Sequence, residues 1–267
     1  MEVPAILTKV PWDAQMPVGA QRILIFICTS LLVLAICFIA SEVRRRKDFV
    51  PIYAMIGAGA IVIYEPLGDM LASVLYPIHG QIGWVSLFGR SVPLFIGVLY
   101  FWYMSVPALY FIKLVEAGLT RKKLWLLFAF TVCLAIGIEL FGVNMHAWIY
   151  YGYHPYVVFG VPLWCPVTYS AFLMTISIGL QLMVKQLDRG HHWLIMFGLP
   201  LAMAGGHCAV SLPAAAAMYT TSNHALIWLG ATISIILSLG TCYLAGLLFC
   251  SDSHSAQPRQ VLKAVAA

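Results

Sequence analysis

The sequence predicts an all-α membrane protein that crosses the bilayer with seven helices. Two observations on composition predict this class: 62% of the 267 residues are hydrophobic and only 9% are charged. A soluble domain has an apolar share near one half and a charged share near one quarter. The third observation is that the apolar residues form runs of about 20 or more, the length that crosses roughly 30 Å of hydrocarbon. A transmembrane barrel would instead alternate apolar and polar residues in segments of about ten.

Seven such runs follow one another with short connections. They cover residues 22–42, 49–76, 92–115, 124–143, 158–184, 193–218 and 225–250. The runs predict a single transmembrane domain over residues 1–250. We expect residues 251–267 to form a mobile, polar, cytoplasmic tail.

The basic residues predict the orientation of the chain. Most of the 15 lysines and arginines follow the first, third and fifth runs or lie in the tail. Because basic connections stay on the cytoplasmic side, we expect the N-terminus outside and the C-terminus inside. The net charge of +5 therefore indicates topology and attraction to anionic lipid, and it gives no reason to expect a nucleic-acid partner.

Three carboxylates lie inside these apolar runs and are the candidate catalytic residues. They are Glu65 and Asp69 in the second run and Glu139 in the fourth. An ionisable group at membrane depth is costly unless it is paired, protonated or facing a cavity. At 1.5 Å per residue, Glu65 and Glu139 lie at about the same depth, His207 lies near it, and Asp69 is one turn beyond Glu65. The runs therefore bring ionisable groups from three helices to one layer.

The same layer is rich in aromatic residues that could form the wall of a substrate pocket. The candidate substrate-binding residues are Tyr64, Trp102, Tyr103, Trp164, Tyr169, His207, Trp228 and Arg90. Several have plainer interpretations: anchoring in the membrane interface for the aromatics, a backbone hydrogen bond for His207, and an ion pair with Asp69 for Arg90. The connection over residues 144–156, which we call the lid loop, has no lysine or arginine and is expected to cover the pocket.

Such a pocket predicts acid–base chemistry on a lipophilic substrate that enters from the bilayer. Two carboxyls in one desolvated site do not both ionise easily, so one can serve as a neutral acid and the other as a base. Aromatic faces stabilise a developing cation by roughly 0.5–2 kcal/mol each. We expect Glu65 to be the acid, Glu139 its partner and Asp69 a support for Glu65, with no metal and no cofactor.

The second run contains two short motifs, Tyr64-Glu65 in its middle and Tyr76-Pro77 at its end. With them the chain resembles the small seven-span terpene cyclases of meroterpenoid and indole-diterpene pathways, whose second span carries a glutamate after an aromatic residue and ends near Tyr-Pro. The resemblance implies cyclisation of a prenylated, often epoxidised substrate, with Glu65 as proton donor. The family's second acid is expected near the end of the chain. The last run here has no Asp or Glu, so Glu139 takes that role on grounds of depth alone.

Other functions fit parts of the pattern. His207 favours a sterol or carotenoid isomerase or cyclase, and the buried carboxylates with His207 could instead form the proton relay of a transporter for lipophilic molecules. A structural role without chemistry also stays open. A retinal photoreceptor is excluded because the last run has no lysine, and the HxxxH and HExxH boxes of common metal enzymes are absent from the sequence.

Overall fold

The computed structural model describes residues 10–250, and helices dominate them. The helices are α1 (Val18–Arg46), α2 (Val50–Ala60), α3 (Glu65–Ala72), α4 (Leu94–Tyr103), α5 (Ser105–Glu116), α6 (Arg121–Asn144), α7 (Trp164–Gln186), α8 (Ile195–Thr220) and α9 (His224–Phe249). Two 3-10 segments, Ile61–Tyr64 and Arg189–Leu194, precede α3 and α8. The expected tail, residues 251–267, lies outside the described residues.

Seven of the resulting helical segments are long and apolar enough to cross a membrane, as the sequence predicted. We call them spans 1 to 7: Val18–Arg46, Val50–Ala72, Leu94–Glu116, Arg121–Asn144, Trp164–Gln186, Arg189–Thr220 and His224–Phe249. Span 6 packs against spans 2, 5 and 7, while span 1 packs mainly on α4 and span 4 mainly on span 5. Spans 1 and 4 therefore lie at the periphery of the bundle.

Span 2 is interrupted at the point where it carries its first carboxylate. Pro66 is the second residue of α3 and has no backbone N–H to give to the preceding turn. The chain therefore passes through the 3-10 segment Ile61–Tyr64 before α3 begins at Glu65. This break sets the direction of the Glu65 side chain.

At two places the structure has strands where the sequence predicted helix. The second run was expected to stay helical to Tyr76, but α3 ends at Ala72 because Ser73 takes a left-handed backbone conformation, with φ of 49°. The fifth run was expected to begin at residue 158, but α7 begins at Trp164. In both places apolar residues form short strands, which hydropathy does not distinguish from helix.

Three antiparallel two-stranded sheets lie in the connections of this otherwise helical fold. β1 (Val74–Leu75) pairs with β4 (Ile149–Tyr150), β2 (Gly83–Leu87) with β3 (Arg90–Pro93), and β5 (Val157–Val158) with β6 (Val161–Pro162). In the first sheet Val74 lies opposite Tyr150. This pairing fixes the lid loop to the end of span 2.

Polar contacts hold span 1 at both ends. At one end the Glu42 carboxylate, 3% exposed, lies 2.5 Å from the Lys113 ammonium of span 3 and 2.9 Å from the Arg45 guanidinium. At the other end the side-chain oxygen of Gln21 accepts a hydrogen bond of 2.6 Å from the backbone N–H of Ile82. The middle of span 1 lies between these two fixed points.

Candidate functional site

A cavity of about 660 Å³ lies between spans 1 to 6. Its volume is in the range of small-molecule sites, which are commonly 300–1,000 Å³. Most of its lining side chains are apolar or aromatic, and its ionisable lining residues are Glu65, Asp69, Glu139 and His207, apart from tyrosines and cysteines. The residues that the sequence placed in one layer therefore line one cavity.

Glu65 accepts a hydrogen bond on each of its carboxylate oxygens. The Tyr76 hydroxyl donates to Oε1 at 2.8 Å, and the Tyr100 hydroxyl of α4 donates to Oε2. Burial, reinforced by the neighbouring Glu65, raises the pKa of the Tyr76 phenol well above its ordinary value, so this donor keeps its proton. Two phenol donors stabilise negative charge on Glu65.

Glu139 accepts two hydrogen bonds on a single oxygen, and both come from the lid loop. The Trp148 indole N–H donates to Oε2 at 2.8 Å and the Tyr150 hydroxyl donates at 2.9 Å. The Tyr150 oxygen lies 3.2 Å from the hydroxyl of Tyr169 on span 5. Within residues 10–250, nothing donates to the other oxygen of Glu139.

The indole of Trp148 reaches Glu139 because the residue of span 4 that the ring covers is a glycine, Gly142. A Cβ at Gly142 would overlap the six-membered ring of Trp148. Glycine at this position lets the indole lie directly against the helix backbone. The lid loop is thus fastened to span 4 by close packing and by a hydrogen bond to the carboxylate.

Asp69 is the cavity carboxylate without a partner in the described part of the chain. It is 4% exposed, lines the cavity, and has no hydrogen bond or ion pair there. The expected ion pair with Arg90 does not form. The Arg90 guanidinium instead donates to the backbone oxygen of Val74 and to the Tyr151 hydroxyl, each at 2.6 Å, because the β2–β3 hairpin places it beside β1.

His207 is buried in the cavity wall with no hydrogen-bond partner for either ring nitrogen among the described residues. It is 3% exposed, and its ring packs on the rings of Phe172, Tyr64 and Tyr169, with centroids 5.1, 5.7 and 6.1 Å away. The backbone hydrogen bond considered for His207 is therefore not found. The indole nitrogen of Trp102, which also lines the cavity, is likewise buried and unpaired. Buried polar atoms are normally hydrogen-bonded, so these atoms mark polar positions of the cavity wall that the described residues leave unsatisfied.

The aromatic residues expected in the wall divide into two groups. Trp102, Tyr103 and Tyr169 line the cavity, whereas Tyr64, Trp164, Trp228 and Arg90 do not. Tyr64 lies behind His207, and its hydroxyl is 3.2 Å from the Cys208 sulfur. Trp164 is fully buried beside His154, and Trp228 is 41% exposed on span 7. Counting residues gives the depth of a side chain but not the face of the helix from which it projects.

Sequence reasoning did not select the four donors that hold Glu65 and Glu139. Trp148 and Tyr150 belong to the lid loop, whose lack of basic residues was the available signal. Tyr76 belongs to the Tyr-Pro pair of the resemblance. Tyr100 is one of several aromatic residues in the third run, and nothing in the sequence distinguishes it from its neighbours.

A scan against protein-family models, a search of curated proteins and a search of solved structures each found no match to this chain. The resemblance to small terpene cyclases stays a prediction. The function must be inferred from the cavity itself.

Proposed function

We propose that this protein is an integral-membrane enzyme that isomerises a lipophilic isoprenoid by acid–base chemistry, in the manner of a terpene cyclase. The observation that carries the proposal is the cavity itself, in which three carboxyl groups meet aromatic and apolar walls. Such walls suit a hydrocarbon substrate, and the carboxyl groups supply and remove protons. Membrane lipid and a prenylated small molecule would be the partners.

The seven apolar spans support insertion in a membrane with the N-terminus outside and the C-terminus in the cytoplasm. Basic residues follow spans 1, 3 and 5, which would end on the same side of the bilayer. The positive-inside rule makes that side cytoplasmic. The lid loop and the carboxylates would then lie toward the outer face.

The hydrogen bonds favour Asp69 as the acid and Glu65 as the base. Glu65 receives a phenol donor on each oxygen, which stabilises its anion, whereas no described residue donates a hydrogen bond to the Asp69 carboxyl group. A neutral acid and a charged base one helical turn apart are the pair that such chemistry needs. This assignment differs from the expectation from the sequence, in which Glu65 is the acid, Glu139 its partner and Asp69 a support for Glu65. Glu139, with two donors on one oxygen, would hold a second negative charge beside the cation.

The reaction balances without any other reagent. Asp69 gives its proton to an alkene, whose π electrons form the new C–H bond and leave a cation on the adjacent carbon. A second alkene closes a C–C bond onto that cation. Glu65 then takes a proton from a neighbouring carbon, and the released C–H electrons form a C=C bond. A proton passes from Glu65 to Asp69 before the next turnover, and the product has the mass of the substrate.

An epoxide would follow the same route with its oxygen as the proton acceptor. The C–O bond breaks as the ring closes, and the oxygen remains on the product as a hydroxyl. The unpaired nitrogens of His207 and Trp102 are suited to bind such an oxygen function. A neutral imidazole offers one donor and one acceptor, and the indole offers one donor.

Proton-coupled transport is the function from another class that uses the same residues. A relay would need ionisable groups that continue along the membrane normal. Away from the carboxylates, the cavity is lined by residues such as Leu31, Met104 and Met203. The cavity therefore fits local acid–base chemistry better than a transmembrane proton path.

The test is product analysis on membranes that contain the wild type, Asp69→Asn, Glu65→Gln or the control Glu116→Gln. Glu116 pairs with Arg46, and its side chain is 47% exposed, far from the cavity lining. A panel of plain and epoxidised prenylated compounds is incubated with each and analysed by mass spectrometry and NMR. We expect a cyclised isomer of unchanged mass from wild type and Glu116→Gln, and its loss in the other two. A product with only a moved double bond would favour the isomerase. No conversion, together with pH-dependent uptake into proteoliposomes that requires Asp69, would overturn the proposal in favour of transport.

A further inference from the structure

The cavity reaches the outside of the helix bundle between spans 1 and 4. Three apolar side chains line the cavity and are also exposed: Ile27 of span 1 at 38%, and Leu134 and Phe141 of span 4 at 46% and 43%. Gly137, between the last two, lines the cavity and is exposed as well. Residues that face both the cavity and the surface mark the rim of an opening.

The packing of the bundle explains why the opening lies there. Each span has one most apolar stretch of 18 residues. In spans 1 and 4 only 22% of this stretch is buried, whereas at least 33% of it is buried in each of the other five spans. Span 1 packs on spans 2 and 3, and span 4 packs on spans 5 and 7. In the described part of the chain, spans 1 and 4 make no extensive contact with each other. Among the described residues, no helix fills the space between them.

The end of the cavity beneath the lid loop is closed. β1 pairs with β4 across it, and Trp148 and Tyr151 are 6% and 4% exposed. Span 1 is fixed at its two ends through Gln21 and Glu42, so the opening is a window beside its middle part. The route into the cavity therefore runs sideways.

We infer that this window, bordered by Ile27, Leu134, Gly137 and Phe141 and called here the portal, admits an isoprenoid lipid directly from the bilayer. The inference rests on the proposed function for the class of ligand. The portal has an apolar rim, so a hydrocarbon chain passes from lipid into the cavity without contact with water. The reactive end of the lipid enters first and reaches the carboxylates, and the rest of the chain lies in the portal.

The distances along span 4 agree with this arrangement. Leu134 precedes Glu139 by five residues, which is about 7.5 Å of helix. Gly137 precedes Glu139 by two residues, which is about 3 Å along the helix axis. A lipid chain that crosses the rim at Gly137 therefore meets the carboxylate layer within a few ångströms.

Gly137 provides a direct test of the portal. Apart from its own helix, nothing lies within 4 Å of the position that a Cβ would take. Gly137→Trp therefore places an indole in the portal without displacing a neighbour at its base. Gly240 on span 7 is exposed, has the same empty surroundings and does not line the cavity. Gly240→Trp is the matched control.

The experiment uses purified full-length protein in phosphatidylcholine liposomes that contain a farnesyl phenyl ether with a diazirine on the ring. After illumination, mass spectrometry maps the crosslinks, with attention to peptides that contain Phe172 and Met203 of the cavity wall. We expect wild type and Gly240→Trp to be labelled equally there, and Gly137→Trp to lose this labelling. Equal labelling of the two tryptophan variants would overturn the portal.

An alternative variant and the independence of labelling from turnover keep the outcome unambiguous. If Gly137→Trp does not fold, Leu134→Trp carries the same test, because that side chain is exposed at the rim. Labelling requires no turnover, so it separates this inference from the proposed chemistry. The wild type could be labelled in its cavity and yet convert no isoprenoid. If Gly137→Trp abolishes that labelling, the portal is confirmed and the cyclase proposal is wrong.

Discussion

Gly142 and Gly137 both belong to span 4, but replacing them by alanine should have opposite effects on stability. A methyl group at Gly142 overlaps the Trp148 indole, whereas a methyl group at Gly137 meets nothing beyond its own helix. The pair therefore separates the packing of the lid loop from the general effect of alanine on a helix.

The size of each effect follows from the contacts. Replacing a helical glycine by alanine stabilises by roughly 0.5–1 kcal/mol, and this is the whole effect expected at Gly137. At Gly142, overpacking costs about 1–3 kcal/mol, and displacing the indole from the Glu139 carboxylate costs about 1.5–3 kcal/mol more. After subtraction of the stabilisation that alanine gives to a helix, we expect Gly142→Ala to destabilise the protein by about 2–5 kcal/mol.

The assay is thermal unfolding of purified protein in detergent, followed by loss of the monodisperse peak in size-exclusion chromatography. We expect the midpoint temperature of Gly142→Ala to fall and that of Gly137→Ala to stay or rise. A double-mutant cycle with Trp148→Ala identifies the cause. If the overlap with the indole is responsible, Gly142→Ala no longer destabilises a protein that lacks this ring. An equal loss in both backgrounds would refute the close packing of Trp148 on Gly142.

Three other predictions follow from single contacts. Tyr100→Phe removes a hydrogen-bond donor to Glu65 and should slow substrate conversion roughly 10- to 100-fold. Tyr110→Phe changes an exposed side chain and should leave the rate unchanged. Initial rates of product formation measure both, and equal rates in the two variants would contradict the prediction. Burial lowers the pKa of His154 to about 4, below its ordinary value of 6.5, so between these pH values the unfolded chain binds a proton that the folded chain does not. Stability should therefore fall as the pH falls from 6.5 to 4, and the midpoint temperature should fall less in His154→Gln; an identical fall in both proteins would contradict this. Phe88 lies at the tip of the β2–β3 hairpin with φ of 52°, a conformation that asparagine tolerates better. Phe88→Asn should therefore unfold at the same temperature as wild type or at a higher one. A lower unfolding temperature would count against this hairpin geometry.

The number and position of the spans could be predicted from the sequence because each one requires a long apolar run, and such runs are visible without knowledge of any contact. The ends of the runs could not. Residues after Ser73 and before Trp164 are apolar, yet they form β1, β5 and β6. Each hairpin tip is a Phe-Gly pair, Phe88-Gly89 and Phe159-Gly160, in which both residues have a left-handed conformation. Asparagine before the glycine would have been a strong signal for these turns, and phenylalanine is not.

The candidate site was predictable in depth but not in direction. The rise per residue is constant along a helix, so Glu65, Glu139 and His207 could be assigned to one level, and all three line the cavity. The face from which a side chain projects depends on how each helix is turned against its neighbours. Trp164 and Trp228 have suitable depths but face His154 and the surface instead.

The β1–β4 sheet, with two residues in each strand, links the two hydrogen-bonded carboxylates. β1 leads directly into Tyr76, which donates to Glu65, and its partner strand β4 contains Tyr150, which donates to Glu139. The pairing of Val74 with Tyr150 therefore sets both donors at once. The same pairing closes the cavity on the side of the lid loop. Closure of this end and hydrogen bonding of the two carboxyl groups are thus one structural event, and a lid loop that opened would lose both together. Entry through the proposed portal would avoid this loss, because a molecule that passes between spans 1 and 4 leaves the β1–β4 pair intact.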